Sequence, residues 1–424
     1  MTAPIALFVD GTEYSGWKSL RVTRGLTRAS ADFDLSVSER WGLLGGAWQI
    51  QPGAKCEVRY GNETLLTGWV DSYQPSYSAT DHSVRLSGRS KTCDLVDCSV
   101  LVDGGQFRGL TVGEIARQLA KPFGVGVKVV HDGEPEAEVQ VQQGETVFAL
   151  VERLCRLQAL LVTDDASGNL VLTRAGGGRA STALRHGQNI LTASSNLDQS
   201  KRYSDVIVKA QRPGNSNKSD DDAPPSDYSD NWVPTNRQRL AEIEAIANPG
   251  ERYFALRTYQ RANANGSGRR GNPSSLTQIH GAIRDPEITR YRPLLIVAEA
   301  QSDDGLAETR ADWEVRRRKG EGTKATINVN GFHQLNGSLW ETNMLVQVEA
   351  PWLALNIELI ISDVTYTYDE NGEITQLGLT LPAAFLPDPK ERKAKTAPAP
   401  SGGKPAAAPG WDATWKSTSG GAAP

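Results

Sequence analysis

The chain has 424 residues, 46 Lys and Arg against 50 Asp and Glu, and a formal net charge of −4. At about 150 residues per domain, this length predicts two to four domains. So even a balance excludes a dedicated nucleic-acid binder, which carries a strongly basic domain, and an acidic disordered chain. Hydrophobic residues make up 38% of the chain, enough to bury real cores.

Four cysteines, Cys56, Cys93, Cys98 and Cys155, are too few and too scattered for a disulfide framework. No His or second Cys pair joins Cys93 and Cys98 to complete a tetrahedral zinc set. A reducing compartment is the expected setting. Met1–Val9 has no basic segment and only five apolar residues in a row before Asp10, so no signal peptide is expected. No apolar run approaches the roughly 20 residues that span a bilayer.

The first hundred residues read as β. Ile5–Val9 is a short apolar strand, and Asp10-Gly11 after it is a two-residue hairpin signal. Ala31, Phe33, Leu35 and Val37 alternate with polar residues, and Cys56, Val58 and Tyr60 do the same. Trp69–Tyr77 and His82–Gly88 form a further predicted hairpin. Many short strands separated by turns predict a barrel or sandwich.

From about 105 to 175 the period changes. Thr111 and Glu114 have capping-box spacing, and Val112, Ile115 and Leu119 then share a helical face that ends at Pro122 and Gly124. Val147, Leu150, Val151, Leu154 and Leu157 form a second such face. A hairpin of Leu160–Thr163 and Leu170–Thr173 follows. Residues 187–211 return to strand character, with Val206 and Val208 alternating. Residues 213–231 and 262–275 are polar and read as loops, with a short helix expected over Arg237–Ala247. Tyr291–Ala300 reads as a buried strand, and Ser302 as the cap of a helix over about 303–319. That helix would end in Arg316-Arg317-Arg318-Lys319, basic residues that suit the negative end of the helix dipole. Alternation at Ala325, Ile327 and Val329, at Met344–Ala350 and at Leu355–Ile361 marks a second β region over about 323–386. Residues 388–424, rich in Pro, Ala, Gly and Lys, read as a solvated tail.

Val70-Asp71-Ser72-Tyr73 leads through a polar turn to Val84-Arg85-Leu86, and Ser362-Asp363-Val364-Thr365-Tyr366 leads likewise to Leu377-Gly378-Leu379. The two β regions thus end in similar Asp- and Tyr-bearing hairpins. Either an internal duplication or hairpin chemistry reached twice accounts for this.

The search for reactive chemistry nominates no catalytic, cofactor-binding or metal-binding residue. His-Glu-x-x-His, Gly-x-Ser-x-Gly and Cys-x-x-Cys are all absent. The histidines, His82, His131, His186, His280 and His333, lie far apart in polar segments. Gly266–Gly271 has glycines at P-loop spacing, but Asn272 stands where the phosphate-binding Lys belongs. Asp220-Asp221-Asp222 is read as a solvated run, and Arg316–Lys319 supplies too few cations for useful phosphate affinity. Trp17, Trp41, Trp48, Trp69, Trp232, Trp313, Trp340 and Trp352 suit either a core or an interface anchor, with Trp232 beside a loop the candidate for docking.

Three stretches carry a family resemblance. Thr146–Arg174, reading TVFALVERLCRLQALLVTDDASGNLVLTR, resembles the helix and hairpin of phage tail hub proteins. Arg292–Val297 with Arg310–Glu314 resembles a later segment of those proteins, and Val329–Phe332 with Asn336–Asn343 is similar to the opening of their second barrel. The family is the baseplate hub of contractile-tailed phages, Mu-like ones above all, related to late-control tail protein D. The resemblance covers roughly residues 1–386.

It implies a mainly β, α+β chain with two similar β-barrel domains. The expected division is 1–100 plus 187–211 for the first barrel, 101–186 for an inserted small α/β domain, 212–319 for a connecting α/β segment, 320–386 for the second barrel and 387–424 for a flexible tail. It further implies a non-enzymatic homotrimer whose six barrels adapt a hexameric tail tube to a trimeric central spike, with a channel for DNA. Implied partners are other copies of itself, the tail tube protein, the central spike protein and other baseplate or tape-measure proteins. DNA is a partner only in passage, and no membrane span or cofactor is implied. The implied location is the virion tail baseplate, after assembly in the host cytoplasm. A tail-associated peptidoglycan hydrolase and the hub of a bacterial contractile injection system are the alternative readings.

Overall fold

Asp10 and Gly11 take φ of 49° and 85°, the left-handed pair that a tight hairpin demands. They join β1 (Ile5–Val9) to β2 (Thr12–Ser15), with Ile5, Leu7 and Val9 turned inward. The same period-two logic builds β3 (Ser19–Gly25), β4 (Asp32–Ser38), β5 (Lys55–Tyr60), β6 (Glu63–Tyr77) and β7 (His82–Ser90). The computed structural model describes residues 5–38, 50–78, 82–211, 245, 278–297 and 304–386. The loops at 213–231 and 262–275, the helix expected over Arg237–Ala247, and the tail from 388 lie outside the described residues, as do Trp41, Trp48, Trp232, Asp220–Asp222 and Gly266–Gly271.

The α/β unit follows. It contains α1 (Cys93–Asp97), β8 (Gln106–Phe107), α2 (Val112–Ala120), β9 (Val127–Val129), β10 (Val139–Gln140), α3 (Val147–Leu157), β11 (Leu161–Asp164) and β12 (Leu170–Thr173). Thr111 and Glu114 form the expected capping box on α2, and Thr146 caps α3 by accepting from the Ala149 N–H. The predicted helical faces, Val112, Ile115 and Leu119 against Leu150, Val151 and Leu154, meet in a separate core.

Short strands β13 (Gly178–Arg179) and β14 (Leu184–Arg185) come next, then β15 (Ile190–Leu197), β16 (Asp205–Gln211), β17 (Gln278–Arg284) and β18 (Pro293–Val297). The chain then enters α4 (Asp304–Gly322), β19 (Thr323–Asn330), β20 (Met344–Ala350), β21 (Leu355–Asp369) and β22 (Gly372–Thr380). A 14-stranded sheet runs β15-β19-β22-β21-β3-β4-β7-β6-β5-β1-β2, with β20 beside β21 and carrying β13 and β14. Its inner face is one continuous hydrophobic core from Ile5 to Leu379.

Within this sheet one pairing pattern occurs twice. The order β3-β4-β7-β6-β5 matches β15-β19-β22-β21-β20. Both central hairpins pair a 15-residue strand with a 9-residue strand. Each long strand carries a one-residue bulge, at Asp71 between Val70 and Ser72 and at Ser362 between Ile361 and Asp363. The loop before each long hairpin bonds at the same point. Gly53 N–H donates to Val70 O at 2.7 Å, and Asn343 N–H to Ile361 O at 2.9 Å. Phe33 lies opposite Gly88 in the first set, and Ala325 opposite Leu379 at the matching place in the second. A Cβ on Gly88 would sit 2.6 Å from the Phe33 ring, so the same space is filled from opposite strands in the two sets.

Several expectations are corrected. Residues 187–211 do not complete the first set: β15 pairs β19, and β16 leaves for a sheet of its own with β17 and β18. Val206 and Val208, whose alternation suggested the assignment, pack onto Ala307 and Ala311 of α4. The α/β unit stops short of 186, because β13 and β14 run parallel to β20 of the second set. No closed barrel forms among the described strands, since the edge of β3 that would close the first set is taken by β21. β18 is not buried: Leu295 and Val297 are exposed on its outer face.

Candidate functional site

The seam between the two strand sets is where the chain spends its unusual residues. β21 and β3 are antiparallel there, with Val364 opposite Arg24, Thr365 opposite Thr23 and Tyr366 opposite Val22. The Thr365 and Thr23 hydroxyls lie 3.3 Å apart. Gly25 sits close to Asp363: a Cβ there would lie 2.4 Å from the carboxylate oxygen, which would have to turn aside. Beyond it, the Leu26 N–H donates to Ser362 O at 2.7 Å.

Arg24 is buried at this seam, and its Nη2 donates to Leu65 O at 2.7 Å. Its Nε lies 3.8 Å from Asp164 Oδ1, which ties β11 of the α/β unit to β3. Asp164 also accepts from the Ala31 N–H at 2.9 Å. Burial pushes its carboxyl above the usual range, against the pull of Arg24. Nothing in the sequence marks Arg24 and Asp164 as partners across that separation.

A second junction packs Phe332 between Tyr60 and Tyr366, with tilted rings at centroid distances of 4.8 and 5.2 Å. The Tyr60 hydroxyl donates to Glu373 and the Tyr366 hydroxyl to Trp340 O. Burial pushes both phenols up. His333 Nε2 lies 2.6 Å from Glu63 Oε2, joining the second set to the start of β6. Among the histidines whose side chains are described, it is the one placed at an interface between the sets.

The other residues weighed in the sequence disperse. Cys56, Cys93 and Cys155 are buried thiols whose pKa is pushed up by burial to about 12, which makes them poor nucleophiles. Cys98 is exposed and free. Among the described residues no group of three or more His, Cys, Asp and Glu gathers in metal-binding proximity. Arg316–Lys319 does not end its helix, which runs on to Gly322. Arg316 pairs with Asp312 at 2.9 Å, Arg318 with the buried Glu314 at 2.6 Å, and Lys319 with Glu287. These cations brace α4 and leave little charge for a phosphate backbone. Trp17 and Trp340 are core residues, whereas Trp352, in the turn between β20 and β21, is 89% exposed. Trp313 Nε1 donates to Leu386 O at 2.9 Å. No described helix is long and apolar enough to cross a membrane.

The described residues thus form a large sheet with a repeated strand pattern and ion-paired braces. Comparison with known proteins identifies the family. Residues 4–90 match the N-terminal domain of Mu phage baseplate assembly protein GpP-like proteins. Residues 92–174 match the second domain of gp44-like baseplate hub proteins, and 304–388 the fourth domain of Mu phage baseplate assembly protein GpP. Baseplate hub protein gp44 of Escherichia phage Mu is 30% identical over 404 residues, covering 93% of this chain and 92% of its own. The 43 kDa tail protein of prophage MuSo2 from Shewanella oneidensis superposes with a TM-score of 0.69 at 30% identity, over 90% of this chain and 99% of that one. A tail protein from Neisseria meningitidis MC58 shares the fold, with a TM-score of 0.64 at 19% identity, over 92% of this chain and 99% of that one. The chain belongs to the family of Mu-like phage baseplate hub proteins, structural components of the tail.

Proposed function

We propose that this protein is a non-enzymatic, homotrimeric hub that adapts the sixfold symmetry of a tail tube to the threefold symmetry of a central spike. The observation that carries this reading is the repeated strand order, β3-β4-β7-β6-β5 and β15-β19-β22-β21-β20. Two equivalent modules per chain let three chains present six similar faces to a hexameric tube and three to a trimeric spike. Without a repeated module a trimer has no sixfold face, and the mismatch would fall on the partner.

In this role the chain templates the first ring of the tube, holds the spike, and leaves an axial passage for DNA. A net charge of −4 suits a passage wall that does not retain a polyanion. Assembly takes place in the host cytoplasm, and the product resides in the virion baseplate. Averaged images of the purified assembly, viewed down its axis, are expected to show six similar lobes around a hole. Three lobes, or no closed ring, would overturn the adaptor reading. Incubation with purified murein is expected to release no soluble fragments, and release would end the non-enzymatic reading.

A further inference from the structure

Inside one chain, the turn that closes β5 onto β6 is docked on the second strand set. Tyr60 and Glu63 flank that turn, Gly61-Asn62. The Tyr60 ring lies 4.8 Å from the Phe332 ring and 6.0 Å from His333, and its hydroxyl donates to Glu373. Glu63 lies 2.6 Å from His333. The turn thus meets two features of its neighbour, the connection 331–343 between β19 and β20 and the start of β22.

The matching turn of the second set joins β20 to β21 and is Pro351–Ala354. Its backbone is braced. The Ala354 N–H donates to Pro351 O at 2.9 Å, and the Ser195 hydroxyl of β15 donates to Leu353 O at 3.1 Å. Ala354 closes the turn at φ 57°, a left-handed conformation unfavourable for a residue with a Cβ. On this turn Trp352 is 89% exposed. A rigidly held aromatic loses little freedom on entering an apolar pocket, which is why tryptophan leads among interface anchors.

We propose that the Trp352 turn docks on the first strand set of the next subunit, as the Tyr60 turn docks on the second set of its own chain. This rests on the trimeric hub reading and names a contact that closes the ring. The receiving surface follows from the repeat. The counterpart of the connection 331–343 is 39–54, since Asn343 and Gly53 bond just before the matched bulges. The counterpart of Glu373 is His82, since Tyr368 faces Glu373 where Tyr77 faces His82. Each turn also fits the chemistry of the connection it meets. Glu63 meets His333, in a connection that bears Gln334 and Glu341 as well. Pro351-Trp352-Leu353-Ala354 carries no charge, and neither does any residue between Arg40 and Lys55, where Trp41, Leu43, Leu44 and Trp48 stand. The joint within the chain is ionic and the joint between chains is apolar. It uses a different patch on each partner, so it closes only as a ring.

The test is a photo-cross-link in the full chain. Trp352→p-benzoylphenylalanine, co-assembled with isotopically heavy unmodified chains and irradiated, is expected to join light chains to heavy ones. Mass spectrometry is expected to map the bond to 39–54 or to the start of β7 in the heavy copy. Trp352→Glu is the second measurement. It is expected to weaken trimer formation in sedimentation by at least about tenfold, with urea unfolding of the subunit unchanged. A trimer by mass whose cross-link lands elsewhere, or whose stability ignores Trp352→Glu, overturns the joint and leaves the hub reading standing. A protein that is monomeric by mass overturns both.

Discussion

The hairpins β6–β7 and β21–β22 have the same strand lengths and the same bulge, yet differ in what covers them. Val364, Thr365 and Tyr366 are sealed beneath β3, while the residues at their places, Tyr73, Gln74 and Pro75, lie at the edge of the described sheet. The far half of the second hairpin meets a further strand, β3, whereas that of the first pairs β7 alone among the described strands.

That comparison can be broken at its core or sharpened at its edge. Phe332→Ala removes the ring that both sets share through Tyr60 and Tyr366, and is expected to cost about 3–5 kcal/mol in urea unfolding. Thr365→Lys places an unpaired charge in the buried internal seam and is expected to cost about 3 kcal/mol. The matched change at the other hairpin, Gln74→Lys, touches the exposed edge. It is expected to shift subunit unfolding by about 0.5 kcal/mol or less. If both Lys variants unfold the chain alike, the two hairpins are not the contrasting pair described.

A smaller effect concerns the α/β unit. Arg153 donates to Glu145 at 2.8 and 2.9 Å and holds that carboxyl below its ordinary value. A depressed acid contributes stability that is present above its unfolded pKa and is lost as pH falls through the folded one. Arg153→Ala is therefore expected to remove up to about 1 kcal/mol at neutral pH and less at strongly acid pH, where only its bond to Gln140 O remains, read from unfolding at a series of pH values.

Local structure was legible because local signals are strong. Thr111 with Glu114 marked α2, the spacing from Val147 marked α3, and Asp10-Gly11 marked the first hairpin. The letters pointed to two similar long hairpins through Asp71 and Tyr73 against Asp363 and Tyr366, yet those residues do not coincide: the matched bulges set Asp71 with Ser362 and Tyr73 with Val364. Long-range pairing did not show. The strand Ile190–Leu197 carries almost no apolar alternation, so nothing in it pointed to β19. β13 and β14 are two residues each, too short for any periodic signal. In the basic run of α4, Asp312 and Glu314 stand four residues before Arg316 and Arg318 and were legible from helical spacing, whereas Glu287, which pairs with Lys319, shows as a partner only once the helix is docked. The seam at Arg24 and Asp164 depends on chain separation that no sequence window spans.

The most direct test of the central claim is the mass of the native assembly in solution. Three subunits of 45.9 kDa predict a particle of about 138 kDa. A particle that stays at the mass of one or two chains at every accessible concentration would contradict the account.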